Sequence, residues 1–512
     1  MRIRKAERPL VVLALAVAAL SACGRTRTPA PGPVEIGPGD SIADLDRKAA
    51  SVVPSERQLR WQALEFQAFV HFGMNTFTDR EWGEGTEDPK LFDPADLDAN
   101  QWVEAVKAAG GRGLIVTAKH HDGLCLWPSR FTEHSVKNSP WKGGKGDVVG
   151  EVAAACRRGG LAFGVYVSPW DRHEPSYGDS PRYNRHFKDQ LRELLTDYGE
   201  ISEVWFDGAC AEGPNGRRQV YDWDGYFALI RELRPGAVIS IIGPDARWIG
   251  NEAGVTRESE WSVIPVVGQD DAPSATNPGG IAGLDAQAKD LGSFGRIAEV
   301  ARQGGRLIWY PGQVDVSIRP GWFYHAAEDD KVKTLEHLLD IYYTSVGGNA
   351  QLLLNIPPDK RGRIHENDAA RLKELGDRLR ATFAVNPVAK AVASMTYVLE
   401  PGDGRGVQAR AARYAWQHDH ILEWDLKTPK LFNVAMLNED LREGQRIEVF
   451  AFDVWDGKEW KETARGTTVG WKKLLRFPAV EAEKVRVRLL RTRGGNFLWT
   501  PDRFGLYFDP GR

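Results

Sequence analysis

Glu203-Val204-Trp205-Phe206-Asp207-Gly208-Ala209 is the stretch around which the chain is organised. Apolar and aromatic residues run up to a single carboxylate, and a glycine follows at once. A buried strand tolerates no unpaired charge, so an acid that closes one needs a reason. One reason is to cap the turn that follows. The other is chemistry, because the catalytic groups of α/β barrels stand at the C-terminal tips of the strands. The other strand tips decide between them.

Outward from this stretch, short apolar runs alternate with amphipathic helical patterns from about residue 51 to about residue 382. Strands are expected at 66–71, 113–119, 161–168, 201–207, 237–242, 306–310 and 351–355, with one more inside 251–266 or the loop after it. Helices are expected at 101–109, 147–158, 184–197, 221–233 and 331–344. This alternation predicts a parallel sheet, and its length suits a (β/α)8 TIM-like barrel. A doubly wound open sheet is the second choice, but no glycine-rich phosphate loop follows the first strand. After Arg380 the pattern turns to period two at 414–416, 421–426, 432–437, 446–455, 467–477 and 484–490, which predicts a C-terminal antiparallel β-sandwich. The expected division is a signal peptide at 1–22, a flexible tether at 23–50, the barrel at 51–385 and the sandwich at 386–512. The sandwich is suited equally to binding sugar and to packing on the barrel.

A net charge of −3 over 512 residues gives no case for nucleic acid. Eighteen tryptophans are the outlier, and the flat indole face with its one donor suits a sugar ring. At the N-terminus, Arg2, Arg4 and Lys5 precede an apolar run from Pro9 to Ala22, too short to span a bilayer and typical of an export signal. The run ends in Leu20-Ser21-Ala22-Cys23-Gly24, which resembles a bacterial lipobox. That resemblance implies cleavage before Cys23, a lipid on the new N-terminus, and a periplasmic or outer-membrane location. The Pro-, Gly- and Thr-rich segment 25–40 reads as a tether. Cys125, Cys156 and Cys210 cannot all pair and fit no zinc spacing, so buried thiols are expected.

The strand tips carry an unusual set of polar groups. The first ends in His71, the second in Lys119-His120-His121-Asp122-Gly123, and the third carries Tyr166 and Ser168. The fourth ends in Asp207, with Trp205 two residues back on the same face, Glu252 follows the fifth, and Asn355 closes the last. A metal is one reading of His71, His120, His121 and Asp207, but none of these histidines sits in a His-X-His or His-Glu-X-X-His spacing, and adjacent strand residues point opposite ways. Neutral donors, indoles and two carboxylates describe a pocket for an uncharged polyhydroxylated ligand. Glycoside hydrolysis needs two carboxylates. Asp207, short and on a rigid strand, suits the nucleophile. Glu252 suits the acid, with Glu258 and Glu260 competing for that role.

With these residues in view, the chain resembles glycoside hydrolase family 29, the retaining α-L-fucosidases. The resemblance is carried by Phe69-Val70-His71-Phe72-Gly73-Met74-Asn75-Thr76-Phe77, Glu81-Trp82-Gly83, Thr117-Ala118-Lys119-His120-His121-Asp122-Gly123 and His134-Ser135-Val136. It continues in the opening stretch, in Asp315-Val316-Ser317-Ile318-Arg319-Pro320-Gly321-Trp322 and in Gly347-Gly348-Asn349-Ala350-Gln351-Leu352-Leu353-Leu354-Asn355-Ile356. It implies that Asp207 is the nucleophile and that His71, Glu81, Trp82, His120, His121, Tyr166 and Trp205 surround fucose, with Trp322 near its methyl group. In the subgroup that the chain resembles, acting on α-1,3- and α-1,4-linked fucose, Gly-Asn-Glu supplies the acid/base, here Gly250-Asn251-Glu252. No cofactor is implied, and the partners would be fucosylated oligosaccharides or glycoconjugates. Family members often carry Glu where Gln313 stands, a position read as supporting. A non-catalytic fucose-binding lipoprotein and a metal-dependent hydrolase are the competing classes. Two carboxylates argue against the first, since binding a neutral sugar needs neither.

Overall fold

A computed structural model describes residues 31–213, 215–267, 284–285, 287–398, 419–494 and 499–511. The export signal, Cys23 and the strand expected at 414–416 lie outside them. Eight parallel strands form one sheet: Phe66–Val70, Gly113–Lys119, Ala162–Val167, Glu203–Phe206, Val238–Ile241, Arg247–Trp248, Gly312–Ser317 and Gln351–Asn355. Across the sheet the order is fifth, fourth, third, second, first, eighth, seventh, sixth. Its two ends meet at a Ser240–Ala246 bridge, where the Ile241 N–H donates to the Ala246 carbonyl at 3.0 Å. The sheet thereby curls into the expected barrel.

The strands read as near-continuous apolar runs because both faces are covered; Leu114, Ile115, Val116 and Val165 have no exposed surface. Helices Ala99–Ala109, Val148–Gly159, Ser180–Asp197, Trp223–Leu233, Leu335–Ser345 and Glu366–Phe383 belong to the outer layer. The first shows how sequence sets their limits. Asp98 accepts from the Asn100 and Gln101 N–H groups at 3.0 and 3.2 Å, and Gly110, at φ 94°, ends the helix in a left-handed turn.

Three expectations need correction. The unplaced strand is Arg247–Trp248, two residues long and joined to the fifth with no helix between, so Glu252 follows the sixth strand and not the fifth. The apolar run at 306–310 is a strand, Gly305–Trp309, but not of the barrel. It lies antiparallel between Val34–Ile36 and Val263–Val267, burying Leu307 and Trp309 against Val263, Ile297 and Val300. The seventh barrel strand, Gly312–Ser317, starts just beyond it. Consequently the tether reading does not extend over 31–50: Val34–Ile36 is paired, and helix Ile42–Ser51 buries Leu45 and Ala49 in the same cluster.

The C-terminal part is an antiparallel sheet of Val392–Val398, Asp419–Leu437, Ile447–Trp455, Trp460–Thr467, Lys473–Thr492 and Phe504–Tyr507. The runs at 421–426 and 432–437 are one long strand, interrupted by register shifts between Asp425 and Lys430 and between Phe432 and Val434. Such irregularities bend a sheet, and this one encloses a core that includes Trp424, Phe432, Phe452, Val487 and Trp499. Cys125 and Cys156 are buried free thiols as expected, whereas Cys210 is exposed.

Candidate active site

The strand tips converge on a cavity of about 330 Å³, lined among others by His71, Glu81, Trp82, His120, His121, Trp205, Asp207, Glu252 and Trp322. That volume lies at the small end of the roughly 300–1,000 Å³ usual for ligand clefts. Tyr166 is fully buried behind the wall and touches the site through its bond to Asp207.

Asp207 is held on both oxygens. Tyr166 Oη donates to Oδ2 at 2.9 Å and the Ala209 N–H donates to Oδ1 at 2.8 Å, while His121 Nε2 lies 3.7 Å from Oδ2. Tyr166 and Trp205 are register neighbours on adjacent strands, and their rings stack at 5.3 Å. Burial, and then the Asp207 charge, push the Tyr166 phenol well above its ordinary pKa, so it remains a donor.

The imidazoles are neutral. Burial lowers His71 to about 4, His120 well below the usual range, and His121 to a lesser degree. The amide of Asn355 donates to Ser317 Oγ at 2.9 Å and to the Trp322 carbonyl at 2.7 Å, so its oxygen accepts from the His71 N–H and Nδ1 at 3.2 and 2.8 Å. Ser168 spends its proton on the Trp170 carbonyl at 2.6 Å and accepts from His121 Nδ1 at 2.7 Å. In both rings Nε2 is left as an acceptor, suited to a hydroxyl. His120 and His121 both reach the cavity because the strand ends at Lys119 and the alternation of faces stops there. Among the described residues no group of three or more His, Cys, Asp or Glu is arranged to hold a metal.

Glu81 accepts from the Trp322 and Phe323 N–H groups at 2.9 and 3.2 Å and from His325 Nε2 at 2.8 Å. His325 Nδ1 lies 2.6 Å from Asp79, and these carboxylates outweigh burial to raise its pKa. Trp82 is 53% exposed at the rim, edge-on to His121 at 5.3 Å. Beneath the pocket Gln313 is indeed a support: its Oε1 accepts from Trp205 Nε1 at 3.0 Å and its Nε2 donates to Glu203 at 2.9 Å.

The three competing acids separate by their surroundings. Glu260 is buried between Arg247 and Arg257. Glu258 is exposed and does not line this cavity, whereas Glu252 lies on its wall with Asp207. Burial of its carboxyl raises the Glu252 pKa, the Trp322 indole pulls it back, and the Asp207 and Glu81 charges raise it further.

Asp315, Trp248 and His325 are additions that residue-by-residue reading missed. Asp315 accepts from Trp248 Nε1 at 2.8 Å, and burial with Glu252 and Asp207 nearby lifts its pKa to about 8, so it is neutral near pH 7. The available signal was its place two residues beyond Gln313 on the same strand face.

A family model described as Alpha-L-fucosidase matches residues 49–259 and 295–382. The Arabidopsis thaliana protein named Alpha-L-fucosidase 1 is 40% identical over 473 residues, 89% of this chain and 88% of the relative. A crystal structure from Bacteroides ovatus superposes with a TM-score of 0.81 at 47% identity, over 93% of this chain and 78% of the other. The glycoside hydrolase family 29 fucosidase of Ruminococcus gnavus, solved in complex with fucose, has a TM-score of 0.72 at 29% identity, covering 93% and 98%. A match over more than half the chain, with relatives that align along nearly their whole length, places this protein in the α-L-fucosidase family of glycoside hydrolases.

Proposed function

We propose that this fucosidase releases terminal α-L-fucose with retention of configuration, from α-1,3- or α-1,4-linked positions on branched glycans. The observation that carries the mechanism is one small cavity in which Asp207 and Glu252 stand among neutral imidazoles and indoles. Asp207 attacks the anomeric carbon while Glu252 gives its proton to the departing oxygen, so that the C–O bond to the aglycone breaks as the bond to Asp207 forms. Water, losing its proton to Glu252, then displaces Asp207 and regenerates both groups. The raised pKa of Glu252 keeps it protonated for the first step. His71, His120, His121, Trp205 and Glu81 contact the sugar hydroxyls and ring, with Trp82 and Trp322 closing the apolar side. The fucose held by the Ruminococcus gnavus relative supports a sugar of this kind in the pocket.

The linkage preference rests on the Gly250-Asn251-Glu252 signature of the α-1,3/1,4 subgroup. A panel of α-1,2-, α-1,3-, α-1,4- and α-1,6-fucosyl oligosaccharides, with released fucose measured, tests it. Rapid release from the α-1,3 and α-1,4 members is expected, and a preference for α-1,2 or α-1,6 rejects the subgroup.

We further propose export as a lipoprotein anchored at Cys23, on the strength of Leu20-Ser21-Ala22-Cys23. A single acyl chain binds a membrane only marginally, so the several chains typical of such proteins matter. Cys23→Ala should abolish incorporation of labelled fatty acid and move the protein to the soluble fraction. Retention of the Cys23→Ala protein in membranes contradicts the proposal.

A further inference from the structure

Glu252 hangs on the segment 250–262, which leaves the sixth barrel strand and runs toward the side sheet. Four of its thirteen residues, Glu252, Ala253, Val255 and Glu258, are exposed, so around Glu252 apolar packing does little to hold its shape. Its first half is tied to the barrel layer, where Thr256 Oγ1 donates to the Thr344 carbonyl at 2.7 Å. Its second half is tied to the barrel through Asn349, whose Nδ2 donates to the Glu260 carbonyl at 2.9 Å, and through the Arg247–Glu260 ion pair, and it is tied to the C-terminal sheet as well. The Glu258 carbonyl accepts from Lys473 Nζ at 3.1 Å and from Thr467 Oγ1 at 3.3 Å, and the Ser259 and Thr467 hydroxyls are 2.7 Å apart. Just beyond, the fully buried Gln445 works as a two-pronged clamp. Its Oε1 accepts from the Ser262 N–H at 2.7 Å and its Nε2 donates to the Glu260 carbonyl at 3.2 Å, an amide standing in for a strand partner.

These contacts have a direction. Asp207 and the imidazoles stand on or next to barrel strands and need no help from the C-terminal sheet. The group expected to protonate the leaving oxygen is on a loop, and that loop is the part of the pocket wall that the sheet grips. A general acid works only within hydrogen-bond reach of its target, and a misplacement of about 1 Å can cost a hundredfold.

We infer that the C-terminal sheet is a positioning element for catalysis: through Gln445 and Thr467 it sets the loop from which Glu252 reaches the leaving oxygen. The inference rests on the assignment of Glu252 as acid/base. Loosening the grip leaves fucose binding and Asp207 as they were and makes proton donation infrequent. The loss therefore scales with how much the leaving group needs a proton.

The test uses the full chain with Thr467→Val, Gln445→Leu and Glu252→Gln, a fucosyl disaccharide and an aryl fucoside with an acidic phenol. Thr467→Val and Gln445→Leu should lower kcat/KM on the disaccharide about tenfold, a fraction of what a general acid contributes in full. They should leave kcat/KM for the aryl fucoside, which reports the first step alone, within about twofold and inhibition by free fucose unchanged, since neither leans on the acid. Thr467→Ser, which keeps the hydroxyl, should restore the disaccharide rate. Thr467 lies on the sheet's edge hairpin, so its variant remains informative where Gln445→Leu fails to fold. Equal losses on both substrates, or none on either, overturn the inference when Glu252→Gln does show leaving-group dependence. Absence of that dependence in Glu252→Gln overturns the acid assignment, and the inference with it.

Discussion

Asp207→Asn should lower kcat/KM for α-L-fucosides on the order of 10⁴-fold, the scale of loss when a nucleophile is removed. The thermal unfolding midpoint should move little. The asparagine oxygen can still accept from the Ala209 amide, and the strand's packing through Val204 and Phe206 is untouched. What disappears is a carboxylate oxygen able to bond to the anomeric carbon. Asp207→Gly sharpens the test. Azide admitted to the vacated space should restore turnover of an activated α-fucoside and give the β-azide, because a single displacement inverts the centre. Near-normal turnover of the asparagine variant, or an α-azide from the glycine variant, would refute the assignment.

Glu252→Gln should behave differently and depend on the substrate. General acid catalysis contributes about 10²–10⁴-fold, so hydrolysis of a disaccharide, whose sugar alkoxide leaves badly, should fall by that order. The first step on an aryl fucoside with an acidic phenol should survive, and the fucosyl-enzyme should accumulate for want of a base. In Glu252→Gly, azide needs no base and should give the α-azide, the product of two inversions. The pH profile supplies a second check. Burial, Asp207 and Glu81 raise the Glu252 pKa. Its proton is needed for bond cleavage and is lost as pH rises, so the alkaline limb of kcat/KM on the disaccharide should lie above the ordinary glutamate range and vanish in Glu252→Gln. Glu258→Gln, altering an exposed group outside the pocket, should be nearly silent. Glu260→Gln should instead destabilise the fold, because breaking a buried ion pair removes the carboxylate beside the fully buried Arg247, at a cost of about 3–5 kcal/mol. If Glu258→Gln shows the leaving-group dependence and Glu252→Gln does not, the acid has been misassigned.

Much of this was legible in the chain before any coordinates. Parallel strands buried on both faces are apolar throughout, so a polar residue at a tip stands out, and His71, His120, His121 and Asp207 were found that way. Helix positions were legible from periodicity, as at 101–109, where the helix observed is Ala99–Ala109. Patterning does not say which strand pairs with which. The run at 306–310 reads like a barrel strand, yet it pairs with Val34–Ile36 and Val263–Val267, where Leu307 and Trp309 find their apolar neighbours. Two residues, Arg247 and Trp248, are too few to show any period, so the sixth strand is visible only through its pairing with Gly312 and Gln313.

The same division runs through the site. The sequence alone determined the class of barrel, the strand-tip carboxylate at Asp207 and the family motifs around it, since these depend on local patterning and residue type. Tertiary structure alone decided which of three nearby acids faces Asp207. Glu252, Glu258 and Glu260 lie within nine residues of one another, and what separates them is not spacing but surroundings: the pocket wall for the first, solvent for the second, Arg247 and Arg257 for the third. It also decided that Asp315 lines the pocket, where burial raises its pKa, and that the C-terminal sheet contacts the loop that carries Glu252. Burial and long-range contacts set those properties, and no window of sequence contains them.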